Sequence, residues 1–157
     1  MRGKRATFMA AVILSASAIV VSLVSVSAAG PNVTRIHVIE HATTDTVVDL
    51  TANGDSTGDV LTFHNSVFDA TNQDAVGTSH GDCIRVEVAV SWECRWVTTF
   101  DGGGSITVEG PFLDAGPSVL AITGGTGIYR SARGSMRLVA RDAAGTEFDF
   151  IFRVLTV

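Results

Sequence analysis

The constraint that most narrows this chain's fold is the glycine-dense run from Gly110 to Gly134. An apolar stretch, Val119 to Ile122, enters a cluster of Gly124, Gly125 and Gly127. Ile128 and Tyr129 follow, and Gly134 opens the next stretch. Glycines this close together let a backbone take φ > 0 or lie hard against a neighbouring strand. A small closed sheet needs both where it turns its corners. A phosphate loop is a poorer reading of Gly124-Gly-Thr-Gly127, because the lysine and the helix that such a loop requires are missing. The cluster is read as a strand-to-strand turn.

The rest of the chain from Val33 onward alternates at period two, the mark of half-buried strands. In Val33 to Ala42, Ile36, Val38, Glu40 and Ala42 share one face, and Arg35, His37, Ile39 and His41 the other. Thr46 to Thr51 reads as a short strand and Asn53 to Gly58 as a turn cluster. Asp59 to Asp69 puts Leu61, Phe63, Asn65 and Val67 on one face. Thr71 to Gly81 reads as a loop with a short strand near Ala75 and Val76. Cys83 to Val90 and Trp92 to Phe100 form a hairpin. A turn near Val88 and Ala89 sets Cys83 opposite Cys94. Ser105 to Glu109 and Ser135 to Arg141 alternate too. The last strand carries Phe148, Phe150, Phe152 and Val154 on one face. No helix-period segment of any length follows residue 30. The class is all-β, a sandwich or a barrel.

The first 29 residues are read as a secretory signal peptide and residues 30–157 as one domain. Arg2, Lys4 and Arg5 precede the apolar run Phe8 to Val26, and small residues follow at Ser27, Ala28 and Ala29. An uncleaved membrane anchor is the alternative, since this 19-residue run, broken only by serines, reaches the lower limit of a span. Beyond that run, no stretch is long and apolar enough to cross a bilayer. The domain holds eight arginines, no lysine and sixteen acids. Such a balance excludes a nucleic-acid partner, which needs a basic surface. In an exported chain, Cys83 and Cys94 are expected to form a disulfide, contributing about 2–3 kcal/mol in the chain-entropy model.

Two polar residues sit on apolar faces. A carboxylate at Glu40 must be paired, hydrogen-bonded or held partly neutral. It is either a structural acid or a general acid–base group. Asn65 is either a satisfied core amide or a group that holds a water or polarises an oxygen. His37 and His41 read as exposed histidines of one strand edge rather than metal ligands, and no metal or cofactor is expected.

Gly110-Pro-Phe-Leu, Leu120-Ala-Ile-Thr-Gly-Gly-Thr-Gly-Ile-Tyr and Ala132-Arg-Gly resemble the signature of the allene oxide cyclase and dirigent superfamily. The likeness extends upstream through Gly58-Asp-Val-Leu-Thr-Phe-His-Asn-Ser-Val-Phe-Asp, Val76-Gly and Gly81-Asp-Cys. It implies a closed antiparallel barrel of about eight strands with a wide middle kept for a ligand. It implies that Glu40 and Asn65 are the catalytic pair, with the asparagine helping to hold a water. Cys83 falls on a cavity cysteine of the family, though the expected disulfide removes its free thiol. Phe63, Phe148, Phe150 and Phe152 would line the lumen. The likeness further implies an isomerase or cyclase acting on a small apolar, lipid- or polyketide-like molecule, in a homodimer or homotrimer. A non-catalytic guide for such molecules is the other reading. Three family features are absent: Ala42 stands where an asparagine is expected, the Ser-Pro pair is missing from Thr43 to Val47, and Ala115 replaces a tyrosine.

Overall fold

A computed structural model describes residues 32–51 and 54–156. The expected signal peptide lies outside the described residues. Nine strands are present among them: β1 (Asn32–His41), β2 (Thr46–Val48), β3 (Val60–Asp69), β4 (Ala75–Glu87), β5 (Ser91–Phe100), β6 (Gly104–Leu113), β7 (Ser118–Gly127), β8 (Arg133–Ala140) and β9 (Glu147–Thr156). No α-helix occurs among the described residues. From β3 to β9 each strand pairs antiparallel with the next, and β1 pairs with both β9 and β3. Eight strands therefore close into a barrel, as the resemblance implied. β2 lies outside that count.

The seam between β1 and β3 explains β2. β1 covers only the late half of β3, pairing Val38 to His41 with Asp69 to Ser66. The chain then breaks at 42–45 and rejoins the early half of β3 as β2, pairing Thr46 to Val48 with Thr62 to Val60. Backbone donors in such a break have no ladder partner and must find one elsewhere.

Alternation sorts the side chains as strand geometry demands. Val38, Val67, Trp96, Ile106, Val108, Leu120, Ile122, Met136, Leu138, Phe150, Phe152 and Val154 fill the interior. One end, the base, is closed by Phe100, Tyr129 and Phe152, with ring centroids 5.2 Å apart for Phe100–Tyr129 and 6.2 Å for Phe100–Phe152. The glycine cluster serves this end. Gly124 and Gly125 are strand residues of β7 rather than the expected turn, which comes after them at 128–132. They face a register shift on β6 between Thr107 and Val108. A Cβ at Gly125 would lie 2.4 Å from the Tyr129 carbonyl oxygen and 2.7 Å from that of Ser105.

One further expectation needs correction. The segment from Thr71 to Gly81 is mostly strand: β4 begins at Ala75 and runs for 13 residues. Its inward row is Gly77, Ser79, Gly81, Cys83 and Arg85, so hydrophobicity alone hid it. The apolar row Ile84, Val86, Val88 and Val90 faces outward and is about half exposed. Cys83 pairs with Cys94 across β4 and β5, and the two are disulfide-bonded as expected.

Candidate functional site

The opposite end of the barrel, its mouth, is ringed by the segments 42–51, 54–59, 88–90, 114–117 and 141–146. Just inside it lies a small cavity. Its apolar wall is made by Leu61, Phe63, Phe112, Leu138, Phe148 and Phe150, with Trp96 and the Cys83–Cys94 disulfide beside them. Two carboxyls reach it, Glu40 and Asp45. The cavity measures about 30 Å³, enough for a water or two. The wide middle expected from the resemblance is thus taken up by rings. Phe63–Trp96, Trp96–Phe150 and Phe150–Phe152 form a continuous column, with centroids 5.9, 5.5 and 6.3 Å apart.

A larger hollow of about 420 Å³ lies outside, between the 113–117 and 138–145 segments. It shares Phe112, Leu138 and Phe148 with the inner cavity. Phe112 and Phe148 meet edge to face, 5.9 Å apart, at this junction. Of these two spaces only the outer one reaches the size a drug-sized molecule needs, usually about 300–1,000 Å³; a second outer hollow of about 390 Å³ lies beside Arg85 and Trp92.

Glu40 is the chemically unusual group. It is 5 % exposed, on β1 between Phe148 of β9 and Val67 of β3. The Ser79 hydroxyl donates to its Oε1 at 2.8 Å. Burial pushes its carboxyl up to about 7, against the opposing pull of the hydrogen bonds from Ser79 and Asn65, and nearby Asp45 pushes the same way as burial. A carboxyl poised there populates both its acid and its base form near neutral pH.

Asn65 lies next to this group, and its amide is already committed. Its Oδ1 accepts from Thr43 N at 3.1 Å, Thr44 N at 3.0 Å and Thr44 Oγ1 at 3.0 Å. Its Nδ2 donates to Asp45 Oδ1 at 2.7 Å. The backbone N–H groups of Thr43 and Thr44 lie in the break between β1 and β2, outside either ladder. Asn65 thus fixes the 43–45 segment over the mouth and sets Asp45 beside the cavity. It is not part of the cavity wall, and neither is Phe152, one layer deeper in the column. Cys83, Phe63, Phe148 and Phe150 are.

Four inward residues escaped the sequence reading. Ser79 faces Glu40, and Thr98 lies directly opposite Ser79 on β5. Trp96 lines the cavity. Parity with Cys83 and Cys94 was the signal available for all three. The fourth, Arg85, sits 7 % exposed at the mouth, donating to Asp55 at 2.7 Å and Asp114 at 2.6 Å. Its guanidinium lies 4.0 Å from the centre of the Trp92 ring. Among the described residues no group of three His, Cys, Asp or Glu is placed to hold a metal ion. His37 and His41 are outside the barrel, their rings bonded to Asp149 and Asn72.

The allene oxide cyclase family model matches residues 33–141, most of the chain. This chain belongs to the allene oxide cyclase family. Solved structures share its barrel at low identity. A pyocyanin demethylase is 19 % identical with a TM-score of 0.64, covering 76 % of this chain and 100 % of its own. A pterocarpan synthase dirigent protein is 17 % identical with a TM-score of 0.68, covering 81 % and 97 %. An exo-specific intermolecular Diels-Alderase is 12 % identical with a TM-score of 0.64, covering 80 % and 99 %. At these identities the likeness is one of fold. The site described here holds a buried acid, Glu40, and an asparagine, Asn65, that accepts from protein backbone.

Proposed function

We propose that this family member is an exported barrel that admits a small apolar molecule, lipid- or polyketide-like, at its mouth and directs its cyclisation or isomerisation. The observation that carries the reading is Glu40: a carboxyl near neutrality, buried among aromatic walls beside an outer hollow of about 420 Å³. The guest sits in the outer hollow and passes its reactive part between Phe112 and Phe148. The walls hold it in a shape close to that of reaction, and Glu40 donates a proton or steadies developing positive charge. Similar barrels named for a demethylase, a dirigent synthase and a Diels-Alderase support a scaffold that suits several reactions. The basic start and apolar run of the first 29 residues support export.

A panel of polyenes, epoxides and dienones, followed by chiral chromatography, tests the reading. Wild type should form one stereoisomer from at least one member. Glu40→Gln should slow that turnover about a hundredfold or more, as loss of a general acid does. Equal rates for the two proteins would end the catalytic case.

A second reading, a non-catalytic carrier or guide, has its own support. Asn65 is occupied by backbone donors, and Ala42, Ala115 and the missing Ser-Pro pair leave Glu40 without the family's water-holding partners. Native mass spectrometry of protein from its host distinguishes the two: a retained, unaltered guest favours carriage. The exposed row Ile84, Val86, Val88 and Val90 supports assembly as a homodimer or homotrimer, which sedimentation would decide.

A further inference from the structure

Trp96 presents a buried donor that the protein does not use. It lies on β5 opposite Gly81, and a Cβ at Gly81 would come within 2.4 Å of the Trp96 Cβ. A glycine at that place is what admits the indole to the interior. The ring is 3 % exposed and is held between Phe63 and Phe150. Its Nε1–H has no acceptor. Among the described buried side chains, only the Thr98 hydroxyl shares that condition. Buried polar atoms are nearly always paired, and an unpaired one lowers stability. Phenylalanine would fill an aromatic wall without that penalty.

The indole also stands in the right company. Trp96 and Glu40 line the same cavity, whose volume of about 30 Å³ suits one small polar atom and its substituent. A protonated Glu40 carboxyl would be a further donor on the wall of that cavity.

We propose that the Trp96 indole N–H, with Glu40 on the wall of the same cavity, anchors the acceptor oxygen of an otherwise apolar guest, a carbonyl or an ether. Trp96 is then a specificity-determining residue: it selects guests that carry such an oxygen at the end that enters the barrel. This deepens the lumen reading above and rests on it. A hydrocarbon of the same shape would leave the N–H buried and unpaired, and a site built around a donor rejects the analogue that lacks the acceptor.

The test uses a matched pair, 2-undecanone and 2-methyl-1-undecene, which differ only in C=O against C=CH₂. The ketone should bind wild type about tenfold tighter, the worth of one buried hydrogen bond. Trp96→Phe should reduce that preference to less than about twofold and leave the hydrocarbon's affinity unchanged. The second measurement needs no variant. In indole ¹⁵N-labelled wild type, the Trp96 N–H proton should move downfield with the ketone and stay in place with the hydrocarbon. Trp92, stacked under Arg85, is the internal control. Equal affinities for the pair, a ketone preference that survives Trp96→Phe, or an unmoved Trp96 N–H would overturn the proposal and leave the lumen reading standing; the donor would then bind only water. If neither probe binds, the lumen reading fails and the anchor fails with it.

Discussion

The two ends of this barrel are built from the same strands on opposite principles. The base is dry and interlocked: Phe100, Tyr129 and Phe152 meet over glycines whose missing side chains let β6, β7 and the 128–132 turn crowd together. The mouth is polar and bridged. Arg85 ties the 54–59 and 114–117 segments to the wall, Asn65 holds the break after β1, and Glu40 keeps a raised carboxyl below them. Burial of apolar area needs no exact partner, so the base is stable wherever the rings fit. Charges and amides at the mouth stabilise only while every partner is present. The base therefore carries the fold, and the mouth is where chemistry can vary without losing it.

The strongest way to break that contrast is at the base. Phe152 is fully buried, and Phe152→Ala should cost about 4 kcal/mol through lost transfer energy plus the cavity left behind. Urea denaturation would measure it. A cost near that of a surface truncation would mean that the base is not the structural end.

Glu40 gives the next largest effect, and its sign is opposite to that of a salt-bridged acid. Its carboxyl is raised from 4.5 to about 7, so the folded chain holds a proton that the unfolded chain releases. Stability is then fullest below pH 4.5, falls as pH rises towards 7, and is level above it. The full loss is about 3 kcal/mol, an upper figure because water can reach the mouth. Asp45 is the charged neighbour that faces it; Ser79 and Asn65 offer hydrogen bonds. Glu40→Gln should flatten the profile between pH 4.5 and 7 and be the more stable protein at pH 8. A profile unchanged by the substitution would show that the acid titrates normally.

Arg85 tests the bridging itself. Its two carboxylate partners are partly exposed, which weakens each pair, while the arginine is buried. Arg85→Met keeps the stem against Trp92 and removes the charge. It should cost about 2 kcal/mol at low salt. Hydrogen exchange should quicken in 54–59 and 114–117 while β6 to β9 stay protected. Uniformly faster exchange would show that the mouth and the base unfold together.

How much of this was legible in the sequence follows from what each end relies on. Alternation set Phe148, Phe150 and Phe152 on the inner face, and the hairpin register paired Cys83 with Cys94, because period and turn length are local properties. β4 was misjudged because the inner residues of a strand beside bulky neighbours are small. Gly81 yields to Trp96, a contact formed across strands and invisible to hydropathy. Arg85 was missed for a related reason: closure, not polarity, decided that Ile84 and Val86 face outward and Arg85 inward. Glu40 and Asn65 stood out as polar residues on apolar faces. That Asn65 serves the backbone of 43–45 depends on the split seam of β3, which no single stretch reveals.

The mildest substitution separates stability from access. Phe112 is only half-buried and meets Phe148 edge to face at the junction of the inner cavity and the outer hollow. Truncating an aromatic so placed forfeits little transfer energy, because water already reaches part of it, and the lost ring pair is worth about 1 kcal/mol. Phe112→Ala should therefore melt within a few degrees of wild type. The same change joins the two spaces, so a fluorescent apolar probe should enter faster and quench Trp96 more completely. Phe152→Ala, at the other end, should lower stability about four times as much without speeding entry. If both variants admit the probe equally, the rings at the mouth are packing and not a gate, and the two ends differ in polarity alone.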